Sequence, residues 1–392
     1  MTVASLRLTR LALTEFRNYA AVTWRPAARI VVIHGPNGSG KTNLLEAVSL
    51  LVPGRGLRGA RIAELARRGG DGRWAVAGRL ETPSGPVDIG TGTPPDGPPE
   101  RRVFRLDGAA PRSQADLAAR VSAVWLTPQM DRLFQEGASG RRRFLDRLVY
   151  AVEPSQAREV AAYESAMAQR NRLLAEGRTD PAWLAGLEDA MARHGVAATA
   201  ARAALVERLN DAPLPARPGG FPQARLGLLC PLAEYLQQAP ALMVETWLRQ
   251  VLAENRGRDA ASGSAAIGAH RADMTLADAE SGLAAADAST GQQKALLIGV
   301  ILAHAALLGA TRGFAPLLLL DEPAVHLDAA RRAALFDALD ALPAQVFLTG
   351  TDADVFAPLR HRAEAFAAGG GTLARDAGFR ANPPDSSARA LS

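Results

Sequence analysis

Three short runs in this chain carry residue types that handle phosphate. Gly35-Pro36-Asn37-Gly38-Ser39-Gly40-Lys41-Thr42 fits G-x-x-x-x-G-K-[ST], the phosphate-binding loop or P-loop. Its glycines let successive backbone N–H groups turn toward an anion, and the N-terminus of a following helix adds positive potential. The lysine is informative because the chain has only two, Lys41 and Lys294, against a large number of arginines. A compact ammonium reaches between β- and γ-phosphate oxygens where a planar guanidinium fits poorly. Thr42 would offer its hydroxyl to Mg²⁺, and ATP is the expected ligand. The second run is Asp321-Glu322, at the end of four leucines. It reads as a Walker B pair, with Asp321 completing the Mg²⁺ shell and Glu322 placed to polarise an attacking water. Adjacent carboxylates at the end of a buried strand are costly to desolvate without a cation. The third run, Ser289-Thr290-Gly291-Gln292-Gln293-Lys294, opens an apolar stretch. A serine hydroxyl, a glycine N–H and a helix dipole form an anion site, although Ser-Thr-Gly alone is also an ordinary helix N-cap.

These groups need particular elements to position them. The β-branched run 30–33 predicts a buried strand entering the P-loop, and residues 42–51 space their apolar side chains as a helix that Pro53-Gly54 ends. Residues 317–320 predict a second buried strand, 329–342 a helix and 345–349 a third strand, which is β-α-β order and a parallel sheet. The signature run leads into a helix over 295–308. The apolar stretch 295–310 carries His304 and is short for a membrane span. Residues 74–105 alternate and predict antiparallel strands around a Pro-rich loop. Long helices are expected over 155–176, with Val160, Tyr163, Met167 and Leu174 on one stripe, and over 182–210, with Trp183, Leu187, Met191, Leu205 and Leu209. A further helix is expected over 232–255, after a Pro/Gly-rich loop at 211–222.

The order signature, Walker B, then Leu327-Asp328 as a D-loop resembles the ABC-type ATPases. In that class the signature caps the γ-phosphate of ATP held by a partner subunit. Four further blocks narrow the resemblance: Phe16-Arg17-Asn18-Tyr19, Thr42-Asn43-Leu44-Leu45-Glu46-Ala47, Arg141-Arg142-Arg143-Phe144-Leu145-Asp146 and Gly268-Ala269-His270-Arg271-Ala272-Asp273. In this order they are similar to the RecF family of bacterial DNA replication and repair ATPases, on the SMC-like branch. Ala269 and Ala272 depart from the family's Pro and Asp, which weakens any role carried over to His270 and Arg271. Glu322 brings the Walker B pair closer to the general ABC pattern and favours hydrolysis.

The resemblance implies an α/β fold, an ABC-type ATPase head with a mixed sheet around the P-loop core, and an inserted, mainly helical arm lobe. The expected division is 1–120 and 266–380 for the two parts of the head, 121–265 for the lobe and 381–392 for a disordered tail. It implies Ser289 and Gly291 acting across a subunit boundary, Gln292 and Asp328 as nucleotide-binding residues, and Arg17 and Asn18 as further nucleotide contacts. Gln129 reads equally as a Q-loop residue or as a surface side chain after a proline turn. The implied cycle is ATP-dependent homodimerisation on double-stranded DNA near single-stranded gaps, followed by weak, DNA-stimulated hydrolysis. The implied setting is recombinational repair and replication restart with the mediator proteins RecO and RecR. Two alternatives stand beside it. One is a nucleotide-gated DNA clamp or scaffold with negligible hydrolysis. The other is a transporter-type ABC subunit, against which count the long insertion and a third strand ending in Thr349-Gly350-Thr351 with no histidine.

A net charge of +5 and clustered arginines (Arg55, Arg58, Arg61; Arg67-Arg68; Arg101-Arg102; Arg141 to Arg143 with Arg147) would attract a phosphate backbone without reading its sequence. Solvated surface charge explains each cluster equally well. A single cysteine, Cys230, excludes an intrachain disulfide and is expected in the core. Residues 1–19 carry no targeting pattern, and the expectation is a soluble cytoplasmic protein with no membrane partner.

Overall fold

The computed structural model describes residues 4–177, 180–211 and 222–380. The expected disordered tail, 381–392, and almost all of the loop at 211–222 lie outside the described residues. The described chain divides into two compact units, residues 4–131 with 297–380, and 132–211 with 222–296.

The strands of the two large sheets of the first unit are Arg7–Phe16 (β1), Tyr19–Trp24 (β2), Ile30–His34 (β3), Ala75–Thr82 (β4), Gly85–Gly92 (β5), Val103–Leu106 (β6), Ala123–Leu126 (β7), Leu317–Leu320 (β8), Val346–Gly350 (β9), Ala363–Gly369 (β10) and Thr372–Asp376 (β11). They build a five-stranded antiparallel sheet, order β2-β1-β4-β5-β6, and a six-stranded mixed sheet, order β11-β10-β3-β9-β8-β7. In the six-stranded sheet only β11 runs antiparallel to its neighbour. β3 and β8 are buried on both faces, which is why their sequences are unbroken apolar runs. β4 instead alternates exposed and buried residues, as a half-solvated antiparallel strand must. Trp24 packs edge-to-face on Phe347 and Phe366, with ring centroids 5.6 and 5.4 Å away. The fully buried Gln345 amide accepts from Leu8 N at 2.6 Å and donates to Leu8 O and Ala28 O, so it ties the five-stranded sheet to β9's approach without an unmet polar group. The P-loop helix is Lys41–Ser49 (α1).

The second unit is mainly helical: Ala138–Val152 (α2), Gln156–Ala175 (α3), Pro181–Asp211 (α4) and Ala241–Glu254 (α5). Tyr163, Leu173 and Leu174 of α3 pack with Leu184, Leu187 and Met191 of α4, and Cys230 is buried in the same core. Trp183, expected on that stripe, is 44% exposed. The helix expected over 232–255 is two, Pro231–Leu236 and α5, because Pro240 has no N–H to donate and holds extended backbone at the α5 N-cap. The unit is not purely helical. Ala224–Leu229 and Asp273–Asp278 form an antiparallel ladder, so residues 266–296 pack here, whereas 121–131 pack in the first unit through β7. The fully buried Arg170 guanidinium meets Glu188 at 3.0 Å, Asp259 at 2.8 Å and Leu252 O at 2.6 Å.

The signature helix, Thr290–Arg312 (α6), is longer than the apolar stretch foretold and contains the boundary between the units. By length and composition it could cross a membrane, yet 78% of its apolar window is buried inside the protein.

Candidate active site

β3 delivers the chain into the P-loop, and α1 begins at Lys41 with Gly40 as N-cap at φ 105°. Glycine is required there twice over: the left-handed backbone disfavours a side chain, and a Cβ would lie 2.4 Å from Asn18 Nδ2 and 2.7 Å from Tyr19 Oη. Those neighbours hold the loop by its backbone. Asn18 Nδ2 donates to Ser39 O at 3.3 Å and Tyr19 Oη to Gly40 O at 3.1 Å, while Asn43 donates to Asn18 Oδ1 at 2.7 Å. Burial pushes the Tyr19 phenol up to about 12, so it stays a donor. Pro36, Asn37 and Gly38 form the exposed crest of the loop.

Lys41 is 4% exposed, and its Nζ donates to Gly35 O at 2.7 Å and Pro36 O at 2.9 Å. Desolvation lowers the Lys41 pKa, opposed by the negative charges of Glu322 and Asp321. Ser39 Oγ is buried with no hydrogen-bond partner among the described residues. An orphaned hydroxyl, a desolvated ammonium and a helix N-terminus in one loop fit a phosphate group. Arg17 is engaged differently from Asn18. Its guanidinium grips the buried Glu46 carboxylate with two 2.8 Å hydrogen bonds and donates to Glu64 O at 2.6 Å. Beside it opens a cavity of about 470 Å³ lined by Arg17, Asn18, Asn43, Glu64, Arg67 and Arg68.

β8 lies between β9 and β7, and the register Leu320 opposite Leu348 brings Asp321 and Thr349 out of the sheet side by side. Asp321 Oδ1 accepts from Thr42 Oγ1 at 3.0 Å and from Thr349 Oγ1 at 2.7 Å. Thr349 Oγ1 in turn accepts from Glu322 N at 2.9 Å, and Glu322 has the unusual φ of 51°. Burial raises the Asp321 pKa, while the hydrogen bonds from Thr349 and Thr42 counter it. P-loop and Walker B residues are therefore in direct contact. Mg²⁺ keeps several waters and takes one or two carboxylates plus substrate phosphates. Thr42 and Asp321 fit that donor set, and among the described residues no group of three or more His, Cys, Asp or Glu could hold a metal alone.

Thr349 escaped sequence reasoning, though its place at the end of the strand beside Walker B was a usable signal. Gln129 is exposed on the short turn Pro128–Arg132 just past β7, whose Leu126 O accepts from Asp321 N at 3.0 Å. Asp328 caps the helix Ala329–Ala341, accepting from Arg331 N at 2.8 Å and pairing with its guanidinium at 3.1 Å.

In the second unit the signature is a reciprocal cap: Gln292 N donates to Ser289 Oγ at 3.4 Å, and Ser289 N donates to Gln292 Oε1 at 3.0 Å. Ser289 and Thr290 are exposed, with Gly291 and Gln292 half-buried. Lys294, grouped by sequence with the phosphate-handling residues, is 1% exposed and packs inside the protein.

The "DNA replication and repair protein RecF" of Mesorhizobium japonicum (strain LMG 29417 / CECT 9101 / MAFF 303099) is 48% identical over 378 residues, which span 94% of this chain and 98% of the relative. The chain belongs to the RecF family. The solved structure of the recombination mediator protein RecF-ATPrS in the RecFOR pathway shares the fold, with a TM-score of 0.81, 22% identity and coverage of 96% of this chain and 100% of that one. An SMC head bound to the C-winged helix domain of ScpA is a more distant likeness, with a TM-score of 0.51, 16% identity and coverage of 94% and 96%. The family model described as "AAA domain, putative AbiEii toxin, Type IV TA system" matches residues 255–349. The fold is that of the RecF and SMC-head ATPases.

Two of the blocks that carry the RecF resemblance meet in the second unit. Arg141 clasps Asp273 with bonds of 2.7 and 2.9 Å, Arg142 donates to Ala272 O at 2.8 Å, and Arg202 joins Asp146 to Ala269 O. His270 Nδ1 lies 2.6 Å from Tyr163 Oη, and burial lowers its pKa. Arg141 and Arg142 are thus committed within this RecF-family chain, as Arg67 is to Glu15, while Arg55, Arg68, Arg101 and Arg143 are exposed.

Proposed function

We propose that this chain is an ATP- and Mg²⁺-dependent DNA-binding ATPase of recombinational repair and replication restart. The observation that carries the reading is the contact set of Thr42, Asp321, Thr349 and the Glu322 backbone at the mouth of the P-loop, in which Asp321 and Thr349 are buried, together with the buried Lys41 of the same loop. Backbone amides of residues 35–41 and Lys41 hold the phosphates, and Asn18 steadies the loop. Thr42 and Asp321 hold Mg²⁺, which neutralises charge on the phosphate oxygens when bound. Glu322 orients the attacking water and accepts its proton. Gln129 senses the γ-phosphate side of the site. The cavity beside Arg17 and Asn18 is open to the rest of the nucleotide.

Ser289 Oγ, the Gly291 N–H, Gln292 and Asp328 complete the site across a boundary between two copies of the chain. The exposure of Ser289 and its place at a helix N-terminus support a role in trans. The exposed arginines attract double-stranded DNA bearing single-stranded gaps, and DNA stimulates a slow hydrolysis. The RecF-family membership supports action in the cytoplasm alongside RecO and RecR. Sedimentation with and without ATP and gapped duplex tests this. A dimer is expected only with nucleotide, abolished by Ser289→Arg while nucleotide binding survives. Glu322→Gln should slow phosphate release by about 100-fold and leave the dimer intact. A nucleotide-independent dimer, or unchanged turnover in Glu322→Gln, would refute the assignment.

A further inference from the structure

The third strand of the core ends where a transporter-type ATPase places a histidine, and here it ends in Thr349-Gly350-Thr351. We infer that Thr349 is a positioning residue that sets the geometry of both Walker B carboxylates. The inference rests on the reading of the site as a Mg²⁺-dependent ATPase.

Thr349 is fully buried, and its hydroxyl makes two contacts of opposite sense. Its one proton goes to Asp321 Oδ1 at 2.7 Å, and its lone pair receives the Glu322 N–H at 2.9 Å. The direction is fixed, because an ionised carboxylate can only accept and a backbone N–H can only donate. Glu322 sits at φ 51°, a left-handed conformation that is strained for a non-glycine residue and persists only where its surroundings over-determine it. The Thr349 hydroxyl is the side-chain group that captures that residue's N–H. Both hydroxyl donors, Thr42 and Thr349, converge on Oδ1 of Asp321. That orients the carboxylate from two sides and leaves Oδ2 as the oxygen these hydroxyls do not hold. Thr42 can go on donating to Oδ1 while a lone pair of its oxygen faces a cation, so the arrangement does not have to be dismantled when Mg²⁺ binds. Thr349 touches no part of the P-loop through these bonds, so its hydroxyl acts on the Asp321 carboxylate and the Glu322 backbone and not on the grip of the phosphates.

The test is a series of single substitutions. Thr349→Val keeps the shape and removes the hydroxyl, and Thr349→Ser keeps the hydroxyl and removes the methyl. Steady-state ATP hydrolysis is measured together with Mn²⁺ binding by EPR in the presence of AMP-PNP. Loss of a partner that orients a metal ligand typically costs 10- to 100-fold in activity or metal affinity. Thr349→Val is therefore expected to lower kcat by about 10-fold or more and to raise the Mn²⁺ half-saturation concentration by a similar factor. Nucleotide affinity measured without metal should stay within about threefold, and Thr349→Ser should recover most of both losses. A merely structural role would instead lower the melting temperature of both variants without separating kcat from nucleotide affinity. If Thr349→Val does not fold, Thr349→Ser against Thr349→Ala carries the same contrast. Turnover that is lost in Glu322→Gln but kept, with unchanged Mn²⁺ binding, in Thr349→Val overturns this inference alone. A wild-type protein that neither hydrolyses ATP nor holds Mn²⁺ with AMP-PNP overturns the underlying reading as well.

Discussion

Both units of this molecule bury charge, and the helical core of the second treats it in the opposite way from the mouth of the P-loop in the first. In the second unit Arg170 is wholly enclosed, and each of its guanidinium nitrogens has an acceptor: Glu188, Asp259 and the Leu252 carbonyl. In the first unit Lys41 and Asp321 are almost as deeply buried, but the ammonium rests on backbone carbonyls and the carboxylate on hydroxyls. Burial shifts both toward their neutral forms, lowering the lysine and raising the aspartate. A charge whose partners are all within the chain serves architecture. A charge held short of a full ionic partner is poised for a ligand that brings one.

The contrast can be broken most forcefully at Arg170. Arg170→Ala leaves Asp259 buried without its counter-charge and Glu188 with Arg256 alone, and is expected to cost roughly 3–5 kcal/mol. Denaturant titration checks it, and a loss under about 1 kcal/mol would mean that the network is dispensable. At the other site the effect should fall on chemistry. Lys41→Ala is expected to reduce ATP hydrolysis by at least about 100-fold with little loss of folded stability, read by phosphate release alongside thermal melting. A variant that melts far below the wild type would place Lys41 with the architectural charges instead.

The smallest effect sharpens the comparison through pH. Asp321 titrates above its ordinary value in the folded unit, so folding favours its protonated form. That contribution is fully present below the unfolded pKa and is lost as pH rises through the folded pKa. Asn cannot ionise and can still accept from Thr42 and Thr349. Asp321→Asn is therefore expected to raise the nucleotide-free melting temperature at neutral pH by on the order of a degree or two. The gain should fade as pH falls toward the carboxylate range. Melts across a pH series would show it, and a variant less stable than wild type at neutral pH would contradict the sign.

Much of the first unit was legible in the residues themselves. The P-loop announces its strand and helix because glycine spacing and flanking apolar runs leave few alternatives, and the leucines at 317–320 mark a strand buried on both faces. Less visible was what depends on register between distant strands. Ala123–Leu126 reads as an isolated apolar run, and only its pairing with Leu317–Leu320 makes it an edge of the ATPase sheet. Thr349 is one threonine among many until the β8/β9 register sets it against Asp321. The break at Pro240 was readable from proline chemistry alone, whereas the apolar content on both sides argued for one long helix. At the candidate site, residue types pointed to Lys41, Thr42 and Asp321. They could not reveal that Arg17 is spent on Glu46, since that ion pair joins a tight turn to the buried face of α1.

The place of β3 in its sheet has a consequence for biosynthesis. Both its neighbours, β9 and β10, follow it only after hundreds of intervening residues, and the Gln345 amide that seals the same region bridges residues 337 positions apart. A nascent polypeptide leaves the ribosome with its glycine loop early and the flanking strands very late. Until those strands have emerged, the loop has no framework to hold its amides in one direction, so the growing protein would acquire its affinity for triphosphate only once they have paired with β3.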